Sequence, residues 1–174
     1  DATDKKMLKK MFNSWVDLCE LSIKAGGTRM INLPETLSEA IFSIDMGVGR
    51  CVENISRSGS SFDHYDHINH RRIQLKAASS YGPSSFGPRS EYDDIYFIFF
   101  RKMADNKKRN VRPFDGNYEI YKLDTSLIPK IMVNSTETVE DQQKIGKRPR
   151  FIIPNQLIKP FNLKPIKTGN IDEW

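Results

Sequence analysis

Ser61-Phe62-Asp63-His64-Tyr65-Asp66-His67-Ile68-Asn69-His70-Arg71-Arg72-Ile73-Gln74-Leu75-Lys76-Ala77 holds two runs of strand character. Ser61 to Asp66 and Arg71 to Ala78 are joined by the turn-like His67-Ile68-Asn69-His70. Side chains alternate between the faces of a strand, so Gln74 and Lys76 share one face while Leu75 takes the other. A hairpin partner ending at Asp63 brings that carboxylate beside them. One acidic oxygen ligand, one neutral oxygen ligand and one ammonium group then meet on a single face.

Upstream of the hairpin, Asp4 to Lys24 reads as an amphipathic helix. Met7, Leu8, Met11, Phe12, Trp15, Leu18, Cys19 and Leu21 recur at three- and four-residue steps and form one apolar stripe. Thr3 is placed to cap this helix and Gly26-Gly27 to stop it. A second helix is expected from Glu35 to Ile44, with Pro34 near its start and Leu37, Ala40, Ile41 and Ile44 as its buried face. Arg50 to Ser56 reads as a short strand.

Downstream, a loop rich in Ser, Gly and Pro runs from Ser79 to Ser90. Asp94 to Phe100 is an almost continuous apolar run, the mark of a strand buried on both faces at a sheet centre. Asp115-Gly116 signals a turn before an alternating strand from Tyr118 to Leu123. Ser126–Val133 and Glu137–Ile145 read as helical or mixed. A basic stretch from Lys144 to Arg150, a short apolar run at Phe151–Ile153 and a Pro/Lys-rich tail follow. The expected fold class is α/β of the α+β kind, a central mixed β-sheet flanked by helices. It is expected as a single domain over 1–174, with a catalytic hairpin at 61–78 and a less regular C-terminal third at 124–174.

A chain of 174 residues can bury a core without disulfide or metal staples. Its 38% hydrophobic and 28% charged residues are globular composition and exclude wholesale disorder. No apolar run approaches the roughly 20 residues of a membrane span. Cys19 and Cys51 stand far apart without a C-x-x-C pattern and read as reduced thiols, and no secretory signal is visible. A cytoplasmic setting is the resulting expectation. With 27 basic against 22 acidic residues, net +5 and a pI near 9.2, the chain suits a polyanionic partner without proving one.

The hairpin residues match the needs of phosphodiester hydrolysis. A hard cation on oxygen ligands neutralises a phosphate and lowers the pKa of a bound water. A lysine beside the scissile phosphate orients that water and offsets developing charge. The Leu75 carbonyl is a further candidate ligand.

The pattern Asp63-x(10)-Gln74-x-Lys76 resembles the PD-(D/E)XK nuclease superfamily, in which glutamine sometimes replaces the acidic residue before x-Lys. The hairpin is similar to that of the small type II restriction endonucleases of the PvuII kind. The wider run Ser60-Ser61-Phe62-Asp63, Arg72 to Ala77, Ser85-Phe86-Gly87-Pro88 and Ile95-Tyr96-Phe97 also resembles a small restriction-enzyme family cutting GC-rich sites interrupted by an unspecified base. This resemblance implies a restriction-endonuclease-like fold, a homodimer, Mg²⁺, and cleavage of both strands of double-stranded DNA at a short, near-palindromic site. It implies Asp63, Gln74 and Lys76 as catalytic residues, with Asp63, Gln74 and Leu75 as metal ligands. Gln74 is neutral, which leaves a charge deficit. Glu39 on the second helix is positioned to supply a carboxylate, as the superfamily often draws one from that helix. Asp66 is an alternative to Asp63, though its spacing from Gln74 is shorter and turn capping would explain it.

His64, His67 and His70 invite a zinc or HNH-nuclease reading, but period-three spacing across a strand and turn does not converge on one ion. They are expected, with Arg71 and Arg72, to flank the cleft and touch phosphates. The loop after the catalytic strand offers Ser79, Ser80, Tyr81, Ser84, Ser85 and Arg89 for reading base edges. Lys107-Lys108-Arg109, Arg112, Lys144, Lys147, Arg148 and Arg150 suit phosphate contacts. Alternatives with the same residues are a structure-selective repair or recombination nuclease and a non-catalytic DNA-binding regulator.

Overall fold

The structure is a computed structural model that describes residues 2–28, 31–51, 62–102 and 114–174. Helix α1 spans Ala2–Lys24 and α2 spans Glu35–Met46. The strands are β1 (Gly49–Arg50), β2 (His64–Asp66), β3 (Arg71–Ala78), β4 (Ser84–Ser85), β5 (Asp94–Lys102), β6 (Phe114–Leu123), β7 (Arg150–Phe151) and β8 (Lys167–Asn170), with a short helix α3 at Val139–Lys144 before β7. Six strands form the main sheet in the order β1-β2-β3-β5-β6-β8, and β4 pairs with β7 in a small second ribbon. Only the β3–β5 pair is parallel among the described ladders, so the sheet is mixed and the α+β expectation is met.

Strand β5 is the centre, as its apolar run requires. Every residue from Asp94 to Phe100 is buried, and alternation splits them between two cores. Tyr96, Ile98 and Phe100 join α1 and α2 on one face, with Ile73 and Leu75 of β3. Ile95, Phe97 and Phe99 face the other way, onto Phe86, Val139, Phe151 and Leu157 from the chain's second half.

Helix α1 departs from the single stripe. Leu8, Phe12, Trp15, Val16 and Cys19 are buried, whereas Met7, Leu18 and Leu21 are 58%, 50% and 60% exposed. At 100° per residue the apolar positions cover a wider arc than one sheet face can bury, so its edge stays in water. The helix also begins at Ala2, which puts Thr3 inside the first turn and not at the cap. Its stop follows the reading, with Gly26 at φ +88. Helix α2 runs two residues past the expected Ile44 and ends on Gly47 at φ 65.

One further expectation needs correction. Asp115-Gly116 is not a turn: β6 passes through it, with Gly116 at φ +85 and the side chains of Asn170, Ile171 and Asp172 packed against its missing Cβ. In the Pro/Lys-rich tail, Lys167–Asn170 adds an antiparallel edge strand to β6 and Ile171 joins the core. In the expected strand Arg50–Ser56, Gly49–Arg50 forms β1 and residues 52–56 lie outside the described residues. Lys107, Lys108, Arg109 and Arg112 lie outside them too.

Because Phe97 is fully buried at the centre of the second core, Phe97→Ala should cost about 3–5 kcal/mol in urea unfolding. Ile68→Ala, in the exposed hairpin turn, should stay within about 0.5 kcal/mol of wild type.

Candidate active site

Among the described residues β2 is a short strand. It pairs with β3 only from Arg71 to Ile73, so among the described strands nothing continues along the edge of β3 past that point. Asp63 stands one residue before β2, held by its N–H to the Ile73 carbonyl at 2.9 Å and by its carbonyl, which accepts the Cys51 N–H at 2.9 Å. From there its side chain reaches the edge of β3. Oδ2 accepts the Leu75 N–H at 2.6 Å and the Gln74 side-chain amide at 2.6 Å. Gln74 thereby turns its NH₂ to Asp63 and keeps its carbonyl oxygen for another partner. The N–H and C=O of one strand residue point to the same edge, so the Leu75 carbonyl is directed to the Asp63 side as well.

Burial governs the charges here. It pushes the Asp63 carboxyl above the ordinary carboxylate range, against the weaker pull of the Leu75 N–H and the Lys76 ammonium. Burial likewise pulls the Lys76 ammonium below the usual lysine range, against Asp63, which favours its charged form. The Phe86 ring lies 5.7 Å from Lys76 Nζ. Asp66 is differently occupied: its carboxylate accepts from the N–H of Ile68 at 2.9 Å, the N–H of Asn69 at 3.1 Å and the Asn69 side chain at 2.7 Å. It caps the hairpin turn.

Helix α2 supplies the opposite wall. The Glu39 carboxylate accepts from Arg50 Nε at 2.6 Å, and its backbone carbonyl accepts from His64 Nε2 at 2.9 Å. Burial raises the Glu39 carboxyl, Arg50 lowers it, and nearby Asp63 raises it further. His64 is wholly buried, edge-on to Phe42 at 4.8 Å, and burial depresses its pKa. The expectation that all three histidines touch phosphate therefore fails for His64, which is a neutral tether between β2 and α2. His67 and His70 sit in the exposed turn beside Tyr65.

A cavity of about 310 Å³ is lined by Glu35, Ser38 and Glu39 from α2, Leu75, Lys76 and Ala77 from β3, and Ser84 and Ser85 from β4, whereas Asp63 and Gln74 do not line it. A second, of about 220 Å³, adjoins it through Leu33, Ala77, Pro83 and Ser84, and adds Ser79 and Ser80. Tyr81 is exposed at the loop tip, near Phe99 and Lys159. Arg148 is paired with Glu91 at 3.7 Å and acts electrostatically on Lys76, and Arg150 is the ladder partner of Ser85. Arg89 donates to the Thr125 carbonyl, and Lys147 is exposed.

Arg71 and Arg72 have carboxylate partners within the sheet. Arg71 grips Asp94 at 2.5 and 2.9 Å, and Arg72 grips Asp93 at 3.1 Å, with the Arg72 N–H on the same carboxylate at 2.8 Å. Asp93 is held down at about 2 by these bonds. Sequence reasoning missed Glu35 and Arg50. Glu35 was findable, since it lies one helical turn before Glu39 on the same face. Arg50 was not, because its partnership arises only when β1 packs on α2.

Among the described residues no three His, Cys, Asp or Glu side chains are gathered to hold a metal ion. The donors at this edge are two carboxylates, an amide carbonyl and a backbone carbonyl. All are oxygens, a set that fits a hard divalent cation and not a soft one.

The Bsp6I restriction endonuclease family matches residues 1–160. The chain belongs to that family. It is 29% identical over 163 residues to the type II restriction enzyme Bsp6I of Bacillus sp. (strain RFL6), covering 90% of this chain and 82% of that enzyme. No solved structure gives a significant match. As a member of the Bsp6I family the protein is a type II restriction endonuclease, a site-specific deoxyribonuclease, which agrees with the class implied by the hairpin.

The raised Asp63 carboxyl has a measurable consequence for this restriction endonuclease. A folded-state pKa above the unfolded one means that the ionised group costs stability once pH rises through the folded value, and costs none below the unfolded value. Metal-free Asp63→Asn is therefore expected to melt higher than wild type in mildly alkaline buffer. The gain should shrink toward zero as pH falls through the carboxyl range. A thermal-melt series across pH checks this, and a gain that grows on acidification would contradict it.

Proposed function

We propose that this restriction endonuclease hydrolyses double-stranded DNA with Mg²⁺ at an Asp63–Gln74–Lys76 centre, acting as a homodimer on a short, near-palindromic site. The single observation that supports it best is the clasp of Asp63 on Gln74 and the Leu75 N–H, with Lys76 the next residue of the strand. Asp63, the Gln74 and Leu75 carbonyls and, once freed of Arg50, Glu39 would hold the cation. When bound, it supplies charge neutralisation at the phosphate and a more acidic water.

The chain's own residues do the rest. Lys76 lines the cleft and its ammonium is largely desolvated there, so it meets the phosphate where a positive charge stabilises developing negative charge most strongly. The Gln74 amide fixes Asp63, which keeps the carboxylate from turning to solvent. Displacement in line with the leaving oxygen yields 5′-phosphate and 3′-hydroxyl ends. Ser84 and Ser85 line the cleft and Arg148 and Arg150 border it, in reach of base edges and phosphates respectively. A two-fold dimer would match two-fold symmetry in the target.

Digestion of a long duplex of known sequence with Mg²⁺ tests the reading. Discrete fragments with 5′-phosphate ends are expected, and a smear or intact DNA would overturn it. Asp63→Ala and Lys76→Ala should each slow cleavage by about 10²–10³-fold or more while still retarding the duplex on a gel. Normal cutting by either variant would remove that residue from the centre.

A further inference from the structure

The cleft carries a cation of its own. Arg50 Nε lies 2.6 Å from Glu39 Oε2, and the Glu39 side chain is only 12% exposed, so this ion pair is largely withdrawn from water. Around it stand the like charges of Asp63 and Glu35, both of which disfavour ionised Glu39. His64 holds the Glu39 backbone carbonyl from the same β1–β2 unit that presents Arg50 to its carboxylate, so the residue is held from that unit at two points. The guanidinium thus offsets repulsion between Glu39 and Asp63, which is the electrostatic task a divalent cation would otherwise perform.

We infer that Arg50 is the resident counter-cation of this site: it occupies the Glu39 carboxylate in the free enzyme, and a divalent cation must exchange it off that carboxylate to bind with full affinity. The inference rests on Glu39 and Asp63 as cation ligands. Two cations competing for one carboxylate are linked, so removing one strengthens the other. The displaced guanidinium stays on β1 beside the cleft, where a DNA phosphate is the anion available to take it.

The test is Mn²⁺ binding to the DNA-free protein by calorimetry. Arg50→Ala is expected to bind Mn²⁺ several-fold more tightly than wild type, and Arg50→Lys to fall between them. In the Glu39→Gln background the Arg50→Ala change should have no effect on Mn²⁺ affinity. Arg50→Met, which keeps the aliphatic stem, serves if the alanine variant does not fold. Unchanged or weaker Mn²⁺ binding in a folded Arg50 variant, with Asp63→Asn still losing the ion, would overturn the inference alone. Equal Mn²⁺ binding by wild type and Asp63→Asn would instead overturn the metal centre on which it rests.

Discussion

Oδ2 of Asp63 accepts the Leu75 N–H in a place where an ordinary hairpin would have put a backbone carbonyl. That one bond joins fold and site. It satisfies the Leu75 N–H, a donor that would be costly to leave unpaired. It also aims a carboxylate along the strand that carries Gln74 and Lys76. Among the described strands β2 pairs with β3 only as far as Ile73, and α2 and β4 both line the cavity beside it. The cost is a half-buried carboxylate and a half-buried ammonium, each shifted toward its neutral form by desolvation. Sites built for phosphate chemistry accept that strain because the same dry surroundings strengthen every charge acting on the substrate.

Local pattern made much of this legible. The two-residue period placed Gln74 and Lys76 together, the unbroken apolar run located β5 at the sheet centre, and turn capping, the alternative weighed for Asp66 beside its shorter spacing, is the role it has. What escaped was whatever depends on a distant partner. Strand β8 is polar and basic, with nothing strand-like in Lys167-Thr168-Gly169-Asn170, and it exists because β6 offers an edge. Gly116 looked like punctuation because its positive φ is a turn property, yet here it admits the C-terminal residues against β6. The Arg50–Glu39 pair has no sequence signature at all. In α1 the error ran the other way, since periodicity marks apolar residues without saying how much of the arc a neighbour will cover.

Arginine–carboxylate pairs recur with different duties in this molecule. Arg71 with Asp94 and Arg72 with Asp93 lock the start of β3 to the start of β5, the one parallel pair in the described sheet. Parallel strands cannot share a tight turn, so the chain between them must travel and return. Arg148 with Glu91 ties that travelling segment to the C-terminal third, near Lys76. Family membership gives these pairs a common context, because a restriction endonuclease must hold its cleft in shape before DNA supplies counter-charge.

The segment from Ser79 to Asp93 is fastened at its far end by Asp93 on Arg72. In its middle it is held by the β4–β7 ribbon, the Phe86–Phe151 stack at 4.2 Å and the Gln143 amide on the Gly87 carbonyl at 2.7 Å. None of these anchors uses the side chains of Ser80, Tyr81, Ser84 or Ser85. Substitution at Ser80, Ser84 or Ser85 can therefore leave these anchors in place, so the scaffold allows the surface bordering the cleft to change while the strands beneath it are kept.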